Sequence, residues 1–141
     1  GFVLAASTTQ DDLRVDSLQV SPIPDPTESK AITIENPGSS EDVSFFYTEK
    51  PLIMLEARGV LRGSSSPSVT YRLRYDSDRN ATGTDITGAQ AVTSTTTGNS
   101  TVGSNPNIPA GSFVWLETTA QSGTVNEMTV TMKVIPDVTT D

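Results

Sequence analysis

Residues 69–76, VTYRLRYD, alternate strictly. Val69, Tyr71, Leu73 and Tyr75 fall on one side, and Thr70, Arg72, Arg74 and Asp76 on the other. Successive side chains of a β-strand point to opposite faces, so a period of two fits a strand with one buried face and does not fit a helix. EMTVTMKVI, residues 127–135, repeats the pattern with Met128, Val130, Met132 and Val134 on one face and Thr129, Thr131 and Lys133 on the other. Between the apolar runs lie clusters of Gly, Pro, Asn and Ser, as in ENPGSSED and AQSGTVNE, which read as turns. No helical crossover pattern separates the runs, which argues against a parallel sheet. The expected fold is all-β: an antiparallel β-sandwich, jelly-roll-like, preceded by an extended N-terminal arm.

Residues 1–30 read as that arm and a Pro-rich linker. Pro22, Pro24 and Pro26 each fix φ and remove a backbone donor, so this stretch is expected to be extended. The opening GFVLAAS lacks the basic flank and full apolar core of a signal peptide and is not read as one. Residues 31–135 form the expected sandwich domain, and 136–141 a tail. Within it, AITIE is a short strand, and the segment 43–68 gives one or two strands interrupted at Pro51. There Leu52, Met54 and Val60 fall on one face and Ile53, Leu55 and Leu61 on the other, which predicts a central strand covered on both sides. Residues 91–97 read as an edge strand with small side chains. Residues 112–116 read as a strong strand with Phe113 and Trp115 on one face, Val114 and Leu116 on the other.

Composition narrows the chemistry. The 141 residues contain no Cys and no His, which removes disulfides, thiolate and imidazole metal ligands, and the commonest general base. The formal charge of −8 repels phosphate backbones, and no basic cluster would attract an anionic membrane, so neither nucleic acid nor membrane is an expected partner. Hydrophobic residues reach only 34%, with the polar excess in Thr, Ser, Asn and Gly rather than in charge. That profile suits strands and turns better than helices.

Three segments together resemble a module found in virion structural proteins of tailed bacteriophages: RGSSSPSVTYRLRY, SDRNATGT and IPAGSFVWLETTAQSG, with the resemblance extending over residues 31–135. The resemblance implies a small β-sandwich displayed on a particle, acting as a non-enzymatic capsid decoration (cement) protein. Its partners would be the major capsid protein or another virion protein and copies of itself, as a homotrimer or larger assembly. The implied location is the virion, assembled in the host cytoplasm. A tail-fibre or head-fibre module reading a host surface glycan is the alternative, with loops 76–85 and 93–107 as the recognition rim. No cofactor and no catalytic residue follow from it. The arm lies outside the matching region and is the expected determinant of attachment, with Phe2, Val3 and Leu4 as contact candidates.

DSDRNATGTD, residues 76–85, is the one stretch with the look of a cation site. Asp76, Asp78 and Asn80 match the first three ligand positions of a calcium loop, but Ala81 stands at the required Gly and Thr87 at the bidentate Glu. Asp, Asn and Gly also serve strand connections by side-chain capping, and a structured turn is the expectation. The triplets at Asn80 and Asn99 are glycosylation sequons by pattern alone. Trp115, the single Trp, is flanked by apolar residues and is expected in a core or an interface rather than on a sugar platform. Glu117 precedes AQSGTVNE and Glu127 ends it, so the two would be neighbours if that stretch turned; only then could they act as a carboxylate pair on a glycoside.

Overall fold

The computed structural model describes residues 26–138. Phe2, Val3 and Leu4 therefore lie outside the described residues. The elements are β1 (Glu28–Glu35), β2 (Asp42–Thr48), β3 (Leu52–Asp76), β4 (Thr84–Asp85), β5 (Gln90–Val92), β6 (Asn99–Thr101), β7 (Asn107–Ile108) and β8 (Ser112–Pro136). All pairings are antiparallel and join the strands into one eight-stranded sheet.

The organising unit is a ribbon of β3 and β8, each 25 residues long, paired from Leu52↔Pro136 to Asp76↔Phe113. Straight, such a ribbon would reach roughly 80 Å. It does not stay straight. Between Ser64 and Ser68 the register shifts, so that Ser65, Ser66 and Pro67 stand opposite the single Gly123. Ser65 and Ser66 adopt φ of 59° and 57°, and Gly123 a φ of 71°. A Cβ on Gly123 would sit 2.6 Å from the carbonyl oxygens of both Ser65 and Ser66. A wide bulge with left-handed residues on both strands bends the ribbon, and Pro67, which has no N–H to donate, fits where the ladder is interrupted.

The crease creates two layers from one sheet. β1, β6 and β7 flank the ribbon on one side of it, and β2, β4 and β5 on the other. The inner faces meet in one apolar cluster, with Ala57, Leu61, Met128 and Met132 from the first layer and Val69, Leu73, Val114 and Leu116 from the second. Approach is close: a Cβ on Gly59 would lie 2.7 Å from Val92 Cγ2. The all-β antiparallel architecture is as expected, and the layers of the sandwich are halves of the same two strands.

Both period-two runs behave as their pattern requires. Val69, Tyr71 and Leu73 are buried while Thr70, Arg72 and Arg74 face outward, and Met128, Val130, Met132 and Val134 line the core. The start of β3 differs from expectation. A register shift between Met54 and Glu56 lets Leu55 drop out of phase, so Leu52, Met54, Ala57, Gly59 and Leu61 share the buried face. Leu55 is left 39% exposed, and this strand is covered on one side only. The edge strand expected at 91–97 is shorter, because Asn99 Oδ1 accepts the Thr93 and Ser94 amides at 2.9 and 3.0 Å and turns the chain away from the ladder.

Candidate functional site

On β8, Val114 and Leu116 point into the core and Trp115 points out, as alternation demands. Yet Trp115 has no exposed surface. The cover comes from the loop that follows β3. The Arg79 guanidinium stacks 4.6 Å from the Trp115 ring centroid. Gly83, at φ +85°, passes so close that a Cβ there would lie 2.5 Å from Trp115 Cζ2. Only glycine combines that φ with that approach. The indole Nε1 donates to Glu117 Oε2 at 2.8 Å, so the polar edge of the ring is satisfied as well.

Three arginines and three acids hold this clasp. Arg79 reaches back to β2, donating to Asp42 Oδ1 at 2.7 Å and Ser44 Oγ at 2.9 Å. Arg74 Nε donates to Asp85 Oδ1 at 2.8 Å, its Nη1 to the Thr82 carbonyl at 2.7 Å, and Glu117 Oε1 lies 3.7 Å from its Nε. Arg72 Nη1 donates to Asp85 Oδ2 at 3.4 Å. Each exposed pair alone contributes little, about 0–1 kcal/mol. The cation–π contact and the shared partners make the set a fixed surface rather than a collection of mobile charges. The outward arginine stripe read from the sequence is therefore paired across strands.

Asp76 and Asp78, the first two acids of DSDRNATGTD, are turned back onto their own loop. Asp76 Oδ1 accepts the Asp78 amide and Asp78 Oδ1 accepts the Asn80 amide, both at 2.9 Å, while the Asp78 carbonyl accepts the Ala81 amide at 3.0 Å. These are Asx turns, in which the side chain stands in for a backbone acceptor. They shape the loop so that Arg79, between them, is delivered over Trp115. Of the cation candidates Asp76, Asp78 and Asn80, the two Asp side chains thus have a structural use and Asn80 enters through its backbone amide; among the described residues no group of three or more acidic side chains lies together in a cation-binding arrangement.

Glu117 and Glu127 are not neighbours. AQSGTVNE is not a tight turn but the creased middle of β8, which continues as a strand to Pro136. Glu117 lies opposite Arg72 in one layer and Glu127 opposite Arg62 in the other, on the outward faces of both. Packed sheets stand about 10 Å apart before the outward side chains are counted, too far for a carboxylate pair. The open hollow of about 450 Å³ beside Glu117 contains Glu41 and Asp42, but these hold the Gly38 amide and Arg79.

A second charged group lies on the outer face of the first layer. The Ser100 hydroxyl holds the Glu56 carboxyl below its ordinary range, opposed by desolvation and aided by Arg58 and Lys133. Beyond the clasp, Tyr47 and Phe113 are cross-strand partners with rings 4.7 Å apart, 50% and 37% exposed. Sequence reasoning overlooked both this pair and the role of Arg79. The signal for Arg79 was present: a lone outward-phase Trp, with Arg the one cation in a loop otherwise built from Asp, Ser, Asn, Ala, Thr and Gly.

No protein-family model matches the chain, and no curated protein matches it. Among solved structures it is similar to a chain in a structure of infectious bursal disease virus, Gx strain, with a TM-score of 0.40 and 9% identity over 82% of this chain and 32% of that one. A chain of the Gt strain gives a TM-score of 0.36 and 12% identity, over 78% and 33% of the two chains. The chain spans about a third of the length of the viral chains it resembles, and the likeness is weak.

Proposed function

We propose that this chain is a non-enzymatic structural module of a virus particle, of the capsid decoration (cement) kind. The observation that supports this reading is the clasp over Trp115. The acids a carboxylate enzyme would need are used to fix an outward surface, since Glu117 holds the indole and Arg74, and Asp42 and Asp85 hold arginines. A rigid outer face on a small β-domain suits a protein whose work is to be held on a shell. The resemblance of RGSSSPSVTYRLRY, SDRNATGT and IPAGSFVWLETTAQSG to the phage virion module points the same way. A protein that binds only the assembled shell stabilises it by its own binding free energy.

In this reading residues 1–25 carry attachment, with Phe2, Val3 and Leu4 among the contacts. Deleting them should abolish co-sedimentation with intact particles while leaving the β circular dichroism signal. Particle binding that survives the deletion would remove the arm from the mechanism. A fibre module that reads a host surface glycan is the second reading, favoured by the exposed Tyr47–Phe113 pair, since paired aromatic faces suit sugar rings. Specific glycan-array binding by the full chain, lost in Tyr47→Ala, would favour it over decoration.

A further inference from the structure

Among the described residues the sheet ends in several strand edges, and all but one are blunted. β4, β5, β6 and β7 are 2 or 3 residues long. β2 is interrupted by the register shift between Ser44 and Phe46. Very short strands and bulges are the usual devices that stop a sheet from pairing with another chain. β1 has neither. Its 8 residues, ESKAITIE, run in unbroken register against β8 and contain no Pro. Among the described residues it pairs on one side only.

The hydrogen-bonding phase says which groups face outward. The Asn36 amide donates to the Asn126 carbonyl at 2.8 Å, in line with the register Glu35↔Glu127. Bonded pairs recur every second residue in an antiparallel ladder, so the even-numbered residues of β1 bond to β8. The N–H and C=O groups of Ser29, Ala31, Thr33 and Glu35 then point away from the sheet. The side chains of all four are exposed. The short contact of Thr33 Oγ1 with Thr129 Oγ1, 2.9 Å, agrees, because close side chains mark a non-bonded pair.

We infer that β1 is a homodimer edge, on which β1 of a second copy adds antiparallel about a two-fold axis to extend the sheet across both molecules. The strand is self-complementary in the register that opposes Ile32 to the partner's Ile32. There Ser29 meets Glu35 and Ala31 meets Thr33, each in its bonded phase, giving about eight backbone hydrogen bonds at two per bonded pair. On the inner face Ile32, half-buried against the core, meets its own counterpart, and Lys30 meets Ile34. No like charges stand opposite one another. Lys30 does not obstruct the edge, because its ammonium lies 5.3 Å over the Phe46 ring and 3.8 Å from Glu28. A two-fold contact of this kind is isologous, and it is distinct from the trimer implied by the resemblance.

The test uses the full chain, without particles, so its outcome is independent of the decoration reading. Sedimentation velocity should show a concentration-dependent dimer, and in it the amides of Ser29, Ala31, Thr33 and Glu35 should exchange slowly. Ala31→Pro removes one outward donor and none of the β1–β8 donors, and should weaken association roughly tenfold or more. The pairs Ala31→Lys with Thr33→Lys, and Ala31→Glu with Thr33→Glu, place like charges opposite each other. Each should be monomeric alone, and mixing them should restore the dimer, which a merely structural defect would not allow. The charge pairs decide the matter if the proline variant does not fold. A chain that stays monomeric to about 1 mM overturns the inference. So do a dimer that tolerates all these variants, slow exchange of those amides in the monomer, where the chain's own N-terminal residues would be the cover, and protection that arises only with a different protein.

Discussion

Removing one oxygen from the core should make this protein more stable. Tyr71 is 1% exposed, and its hydroxyl has no hydrogen-bond partner among the described residues. Its ring lies against Gly59 across the layers, 3.6 Å from where a Cβ would be. A buried hydroxyl without a partner costs about 1–3 kcal/mol in lost hydration. Tyr71→Phe recovers this and leaves a void of one oxygen, roughly 15 Å³, which costs only about 0.4 kcal/mol. The net expectation is a gain of about 1–2 kcal/mol in urea denaturation at pH 7.

Alkaline titration supplies an independent check. Burial pushes the Tyr71 hydroxyl up to about 12 from an ordinary 10.0. The phenol is neutral when protonated, so above pH 10 the unfolded chain releases this proton while the folded chain keeps it. The stability held by the raised value is whole below pH 10 and is lost as pH rises through 12. A gap of about two units amounts to roughly 3 kcal/mol, lost progressively as pH rises from 10 to 12. The wild type should lose that much relative to Tyr71→Phe between pH 10 and 12. If Tyr71→Phe is instead destabilised by more than about 1 kcal/mol at pH 7 and the two alkaline limbs run parallel, the hydroxyl is bonded in solution and the reasoning fails.

The clasp and the crease give further expectations. Gly83→Ala combines a left-handed φ with a clash on the Trp115 ring, and should cost about 2–4 kcal/mol in chemical denaturation. Arg79→Ala uncovers Trp115: its fluorescence emission should move to longer wavelength, with about 1–2 kcal/mol lost from the cation–π and ion-pair contacts. Gly123→Ala, strained at φ +71° and pressed on two carbonyls, should lower the melting temperature by about 5 °C or more, since it opposes the fold of the ribbon. Millimolar calcium should leave the melting temperature unchanged, because the Asp76 and Asp78 oxygens already accept loop amides; a rise would reassign the loop.

Much of this protein is settled by periodicity. Alternation in VTYRLRYD and EMTVTMKVI specifies strands and chooses their buried faces before any partner is known, because a period of two admits one buried face. The absence of His and Cys likewise narrows its chemistry from composition alone. The sequence was silent where the outcome depends on what lies across a gap. AQSGTVNE reads as a turn between separate strands, while GSSSPS falls in the segment read as one or two strands, though taken alone it is also a fair turn sequence. Only their meeting, with Ser65, Ser66 and Pro67 opposite Gly123, makes a crease in one continuous ribbon. The bulge that exposes Leu55 is a matter of register between β3 and β8, which neither strand encodes by itself. DSDRNATGTD could be read as a turn, since Asp and Asn cap their own backbone locally. That the turn lays Arg79 on Trp115, and spends Asp42, Asp85 and Glu117 in doing so, was decided by tertiary structure, which brings together residues from β2, β4 and β8 that are far apart in the chain.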